Sequence, residues 1–146
     1  MPAANKFNDY SEQKNRGVHN WGSHTFKMFL TNAAPVATNT VLTDITQLST
    51  GGGYTGGAGG GVALSGVTIA EAAGVTTVQA NQVVVTAAGA AIGPFRYYGI
   101  YNDTATSPLD ELILWWDHGS NVTLNDGDSF TVKFNNASPG TIFTDS

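Results

Sequence analysis

The sequence predicts an all-β fold: a single-domain β-sandwich or jelly-roll-like body over residues 23–146, preceded by an extended N-terminal arm over residues 1–22. Three observations carry this expectation. Short runs rich in Val, Ile, Phe and Tyr recur along the body, the composition that suits a pleated, half-buried surface. Clusters of turn-forming residues separate them, such as NDTATSP at Asn102–Pro108 and NDGD at Asn125–Asp128. Finally, 146 residues suit one domain with a core of useful size, and several short strands punctuated by turns favour a sandwich, jelly roll or open barrel.

The elements follow in order. HTFKMFLTN at His24–Asn32 is an apolar run of strand length, and Ala33–Asn39 contains Pro35 and reads as a loop. VLTDITQL at Val41–Leu48 fits either one helical turn or a short strand. VALSGVTI at Val62–Ile69 is a strand candidate with Gly66 as a bulge. Thr76–Gln79 and Gln82–Thr86 follow, with Ala80-Asn81 able to turn between them. The segment ending at Pro94 is a loop, and FRYYGIY at Phe95–Tyr101 is aromatic and strand-like. LDELILWWD at Leu109–Asp117 has the apolar density of a buried strand. NVTLNDGDSFTVKF at Asn121–Phe134 alternates on both sides of its glycine turn and predicts a hairpin.

Between two strand-like segments lies STGGGYTGGAGGGV, Ser49–Val62, in which eight of fourteen residues are glycine and Tyr54 is the single aromatic. Glycine loses more backbone entropy on ordering than any other residue, so such a tract is expected to order against the body or a neighbouring subunit. Gly51, Gly53 and Gly56 match GxGxxG formally, but more glycine follows where a dinucleotide site needs a helix. The first 22 residues carry four asparagines without periodicity, yet Phe7, Tyr10 and Trp21 favour an arm that docks.

Charged residues make up 12% of the chain, about half the usual share. Lys6, Lys14, Arg16 and Lys27 stand against Asp9 and Glu12 in residues 1–27, a net of +2. Residues 28–146 set Arg96 and Lys133 against nine acids, a net of −7. An acidic body argues against nucleic-acid binding, which needs clustered Lys and Arg. No apolar stretch approaches the roughly 20 residues of a membrane helix. The N-terminus lacks the apolar core of a signal peptide. With no cysteine, disulfides and thiolate metal sites are out of reach.

Other chemistry is sparse, and no cofactor or metal is expected. His19 and His24 lie five apart and share no clean face, and His118 follows Asp117. Asp110 and Glu111 are strand neighbours that point to opposite faces. Asp126 and Asp128 flank Gly127, where turn formation explains both. Asn102 and Asn121 open glycosylation sequons that read as turn residues. No GxSxG elbow marks a nucleophile. Trp115-Trp116 with Tyr97, Tyr98 and Tyr101 form the one constellation with a binding character. One tryptophan of the pair should face the core and the other outward, as an interface anchor or a sugar platform.

Taken as a set over roughly residues 24–143, the blocks TFKMFLTN, VLTDITQLSTGGGYTGG, IGPFRYYGIYNDT and WWDHGSNVTLNDGDSFTVKFN resemble a family of small virion structural proteins of tailed bacteriophages. The resemblance implies a non-enzymatic capsid decoration, or cement, protein, made in the host cytoplasm and carried on the virion surface. Its partners would be the major capsid protein and copies of itself, with a trimer expected from the local threefold points of a lattice. The expected capsid or subunit contacts are Phe7, Tyr10, Trp21, Tyr54, Trp115 and Trp116. Alternative stations are the neck, tail or fibre, and an alternative role is a carbohydrate-binding surface module.

Overall fold

A computed structural model describes residues 1–146. The fold is all-β, with ten strands in three antiparallel sheets and one short helix. The strands are β1 (Asn5–Lys6), β2 (Phe26–Thr31), β3 (Val62–Ala63), β4 (Thr68–Ala72), β5 (Val75–Ala80), β6 (Val83–Thr86), β7 (Ile92–Asn102), β8 (Leu112–Leu124), β9 (Ser129–Val132) and β10 (Gly140–Asp145). Helix α1 spans Asp9–Asn15. The sheets run β1-β8-β7-β2-β3, β10-β5-β4 and β6-β9.

The five-stranded sheet is the central layer because both of its faces are apolar. Cα partners place Met28 beside Ile100 and Leu30 beside Tyr98 on one face, with Leu114 and Trp116 beyond them. These residues join the large core, which also takes Val78, Val83, Val85, Val132, Phe134 and Ile142 from the two smaller sheets and their loops. The opposite face carries Phe29, Tyr101 and Leu112, which pack with Phe7, Leu42 and Ile45 in a second cluster. Strands buried on both faces read as near-continuous apolar runs instead of alternating ones, which is why HTFKMFLTN and LDELILWWD show no simple period.

Most predicted strands appear within a few residues of their expected ends, and Val41–Leu48 resolves into a single 3₁₀ turn at Leu42–Asp44. Three expectations need correction. The segment 1–22 is not an extended arm: β1 pairs with Leu114 and Trp115 of β8, α1 follows, and Tyr10 and Trp21 belong to the large core. The run Val62–Ile69 is not one bulged strand but is divided between two sheets by Gly66.

The third correction concerns the hairpin at Asn121–Phe134. The turn forms, closed by Asp128 N–H donating to the Asn125 carbonyl at 2.8 Å. Its two arms, however, diverge into different sheets. Val122 and Leu124 pair with Phe95 and Ile92 of β7, whereas β9 pairs with β6. A turn of this kind reverses the chain without obliging the flanking strands to meet. A hairpin that the sequence pattern did not mark lies elsewhere, between β4 and β5, around Ala73-Gly74.

Candidate functional site

The six residues expected as outward contacts are mostly inward. Phe7 is fully buried and its ring packs 4.5 Å, centroid to centroid, from Trp115. Trp21 stacks on Phe26 at 3.7 Å with the planes 6° apart, and its indole Nε1–H donates to the Tyr10 hydroxyl at 3.2 Å. Burial pushes that hydroxyl's pKa up to about 12. Trp116 is buried and stacks on Tyr98. Only Trp115 is half-exposed, and it is therefore the outer member of the pair. The expectation that Phe7, Tyr10, Trp21, Tyr54 and Trp116 are surface anchors is corrected: a single chain already has enough apolar surface to bury them.

Tyr54 explains the glycine tract. The tract is ordered against its own body, with the Tyr54 hydroxyl accepting from Leu30 N–H at 2.9 Å and donating to Gln47 Oε1 at 2.7 Å. Lys27 Nζ donates to the Gly59 carbonyl at 2.7 Å and Gln47 Nε2 to the Gly57 carbonyl at 3.1 Å. Close approach excludes a side chain at several tract glycines, and at two of them positive φ adds to the demand. At Gly61 (φ +88°) a Cβ would lie 2.3 Å from the Met28 carbonyl oxygen, and at Gly52 (φ +63°) 2.7 Å from that of Ala90. Tyr54→Phe is expected to cost about 1–3 kcal/mol, because the buried Leu30 N–H loses its acceptor. Urea melts of the variant and the parent would measure it; an unchanged midpoint would show that the hydroxyl contributes nothing.

The aromatic constellation does not assemble into a platform. Tyr98 and Tyr101 are buried on opposite faces of the central sheet. Tyr97 is covered by the Arg96 guanidinium, 5.4 Å from its ring centre. Arg96 also forms a fork with Asp117 at 2.7 and 3.0 Å, and this partnership holds the carboxyl below the ordinary carboxylate range.

The most unusual chemistry is a buried polar chain that no local motif announced. Asn102 Oδ1 accepts from the backbone N–H groups of Thr104 and Ala105 at 2.9 and 3.2 Å, which fixes the orientation of the amide. Its Nδ2 therefore donates to Nδ1 of both His19 and His24, each at 3.0 Å. A ring nitrogen that accepts carries no hydrogen, so the His19 proton sits on Nε2 and is directed at Glu111 Oε2. The side chains of His19 and Glu111 are both fully buried.

The other oxygen, Glu111 Oε1, is buried without a hydrogen-bond partner. Desolvation raises the Glu111 pKa, His19 opposes that shift, and the Asp9 carboxylate on α1 adds to it. These hydrogen bonds tie the loop after α1 to the end of β7 and to the residue just before β8. With both side chains fully buried, the His19–Glu111 contact suits holding this segment in place. No group of three or more His, Cys, Asp or Glu side chains converges as a metal site, and no helix is long and apolar enough to cross a membrane.

Asp126 and Asp128 do what turn carboxylates do, capping the backbone N–H groups of Gly89 and Asn125.

What remains outside is β4, the edge strand of the β4–β5 hairpin. All five residues of β4 are exposed, with Ile69 at 50% and Val75 at the start of β5 at 36%. No family model, curated protein or solved structure matches the chain.

Proposed function

We propose that this chain is a non-enzymatic structural protein of a tailed-bacteriophage virion, a capsid decoration protein that binds the outer capsid lattice as an oligomer and stabilises the head. The observation that carries the reading is the β4–β5 hairpin, which is ordered yet leaves every residue of β4 in solvent. Ordering a strand costs backbone entropy, and an exposed strand recovers little of it by burial until a partner arrives. The order of the strand blocks, which resembles that of small phage virion proteins, supports the same role. A low-charge exterior of hydroxyl and amide groups suits repeated contact with copies and neighbours.

The neck, tail or fibre variant draws on the same surface. The carbohydrate-binding alternative loses its support, because Trp116 is buried and Trp115 packs against Phe7. Mixing the purified protein with mature heads that lack it, followed by pelleting, tests the proposal. A bound copy number that scales with the capsomer lattice is the expected result. A small fixed ring of copies would place it at the neck or tail, and the absence of binding would sink the virion reading.

A further inference from the structure

We propose that the outer edge of β4 is a self-pairing interface, which joins antiparallel to the same edge of a second copy of this chain. The hairpin geometry shows which backbone groups are free. β4 and β5 are in register from Thr68↔Gln79 to Ala72↔Val75, and the turn between them has just two residues, Ala73 (φ 52°) and Gly74 (φ 82°). Positive φ at both central positions is the type I′ turn, whose flanking pair is hydrogen-bonded. Hydrogen-bonded and non-hydrogen-bonded pairs alternate from there. Ala72, Ala70 and Thr68 therefore direct their N–H and C=O groups to β5, and Ile69 and Glu71 direct theirs outward. The sheet ends at β4, so no strand of this chain meets them.

Natural edge strands are usually blunted by lysine, proline, a bulge or a cover. β4 has no lysine or proline, and its pairing with β5 runs without a register shift. Its one charge, Glu71, turns back on its own hairpin, where a carboxylate oxygen accepts from Gly74 N–H at 2.6 Å. The edge is open and nearly uncharged.

The segment Thr-Ile-Ala-Glu-Ala is also complementary to itself when reversed. A two-fold axis at Ala70 sets Ile69 of each copy opposite Glu71 of the other, and both pairs use the outward-facing groups to form four backbone hydrogen bonds. The central Ala70 pair falls at a non-hydrogen-bonded site, where the Cα atoms come within about 4.5 Å and a small side chain is at home. Glu71 never faces its own copy in this register. Shifting so that Glu71 meets Glu71 sets like charges across the strands, which is unfavourable. The two three-stranded sheets become one continuous sheet. The contact is isologous and closes at two copies, unlike the trimer expected from lattice symmetry.

The test uses residues 1–146 alone, so its outcome is separate from the capsid reading. Sedimentation over a range of concentrations should show the 15.2 kDa chain passing to a species of twice that mass. Ile69→Pro deletes one outward N–H and keeps every bond to β5, and Ile69→Glu leaves the backbone intact while placing a carboxylate opposite Glu71. Each variant should weaken association by about tenfold or more with its melting temperature little changed. Should the proline variant misfold, Ile69→Glu and hydrogen exchange decide, since the amides of Ile69 and Glu71 should become protected in the dimer. A monomer at every concentration, a trimer, or a dimer that survives Ile69→Glu with those amides unprotected would overturn the proposal.

Discussion

A chain beginning at Trp21 is expected not to fold. Removing residues 1–20 takes away Phe7, which is fully buried, and Tyr10, which is 4% exposed. Truncating one such aromatic side chain to alanine costs about 3–5 kcal/mol. Two together approach the whole stability of a typical domain, about 5–15 kcal/mol. The same deletion removes β1 from the edge of β8, exposes one face of Trp115, and strips His19 from Glu111. Circular dichroism and a two-dimensional amide spectrum would decide the matter. Dispersed resonances and a cooperative melt in the shortened chain would show that residues 1–20 are dispensable to the fold. Loss of any binding activity in such a truncation would therefore report unfolding, not a lost contact.

The second large effect concerns Glu111. Burial raises its pKa above the ordinary value of 4.5, so the folded state holds a proton that the unfolded state has already released. The stability tied to this group is fully present below pH 4.5 and is lost as pH rises through the raised, folded-state pKa. Glu111→Gln keeps an acceptor for His19 Nε2–H and removes the titration. The variant should therefore gain stability relative to the parent as pH rises through that window, and the difference should level off above it. Working with the difference matters because Asp44, Asp117 and Asp145 have lowered pKa values and lose stability in the opposite direction, as pH falls. Denaturant melts of both proteins over a pH series give the curve. Parallel profiles would assign the pH dependence elsewhere. His19→Ala, by contrast, leaves Glu111 buried without its one hydrogen-bond donor and should cost about 1–3 kcal/mol.

Strands were legible where local composition alone specifies them. FKMFLT, VVVT and the aromatic run before Asn102 declare themselves by β-branched and aromatic content, whatever they pair with. β4 was only half legible: Ala70, Glu71 and Ala72 have low strand propensity, and Ala-Gly is a quiet form of the I′ turn signal. Turn chemistry at Asn125–Asp128 was readable, but the pairing of its arms was not, because alternation marks a strand without naming its neighbour. The central site left less trace still. His19 and Glu111 stand 92 positions apart, and Asn102 looked like a turn residue in a sequon until its amide was placed between two imidazoles.

By itself, the sequence determined the all-β class, most strand positions, the scarcity of charge and the need for the glycine tract to lie against something. These follow from short-range terms: side-chain shape on a pleated surface, turn conformations and the cost of burying charge. Only the tertiary structure decided that residues 1–22 belong to the body, that Tyr54 and Trp116 face inward, that β9 joins β6 and that the edge of β4 stays open. Those outcomes depend on which apolar faces meet and how much water they exclude. Burial is a property of the assembled surfaces, and the pattern within one strand does not name the surface that will cover it.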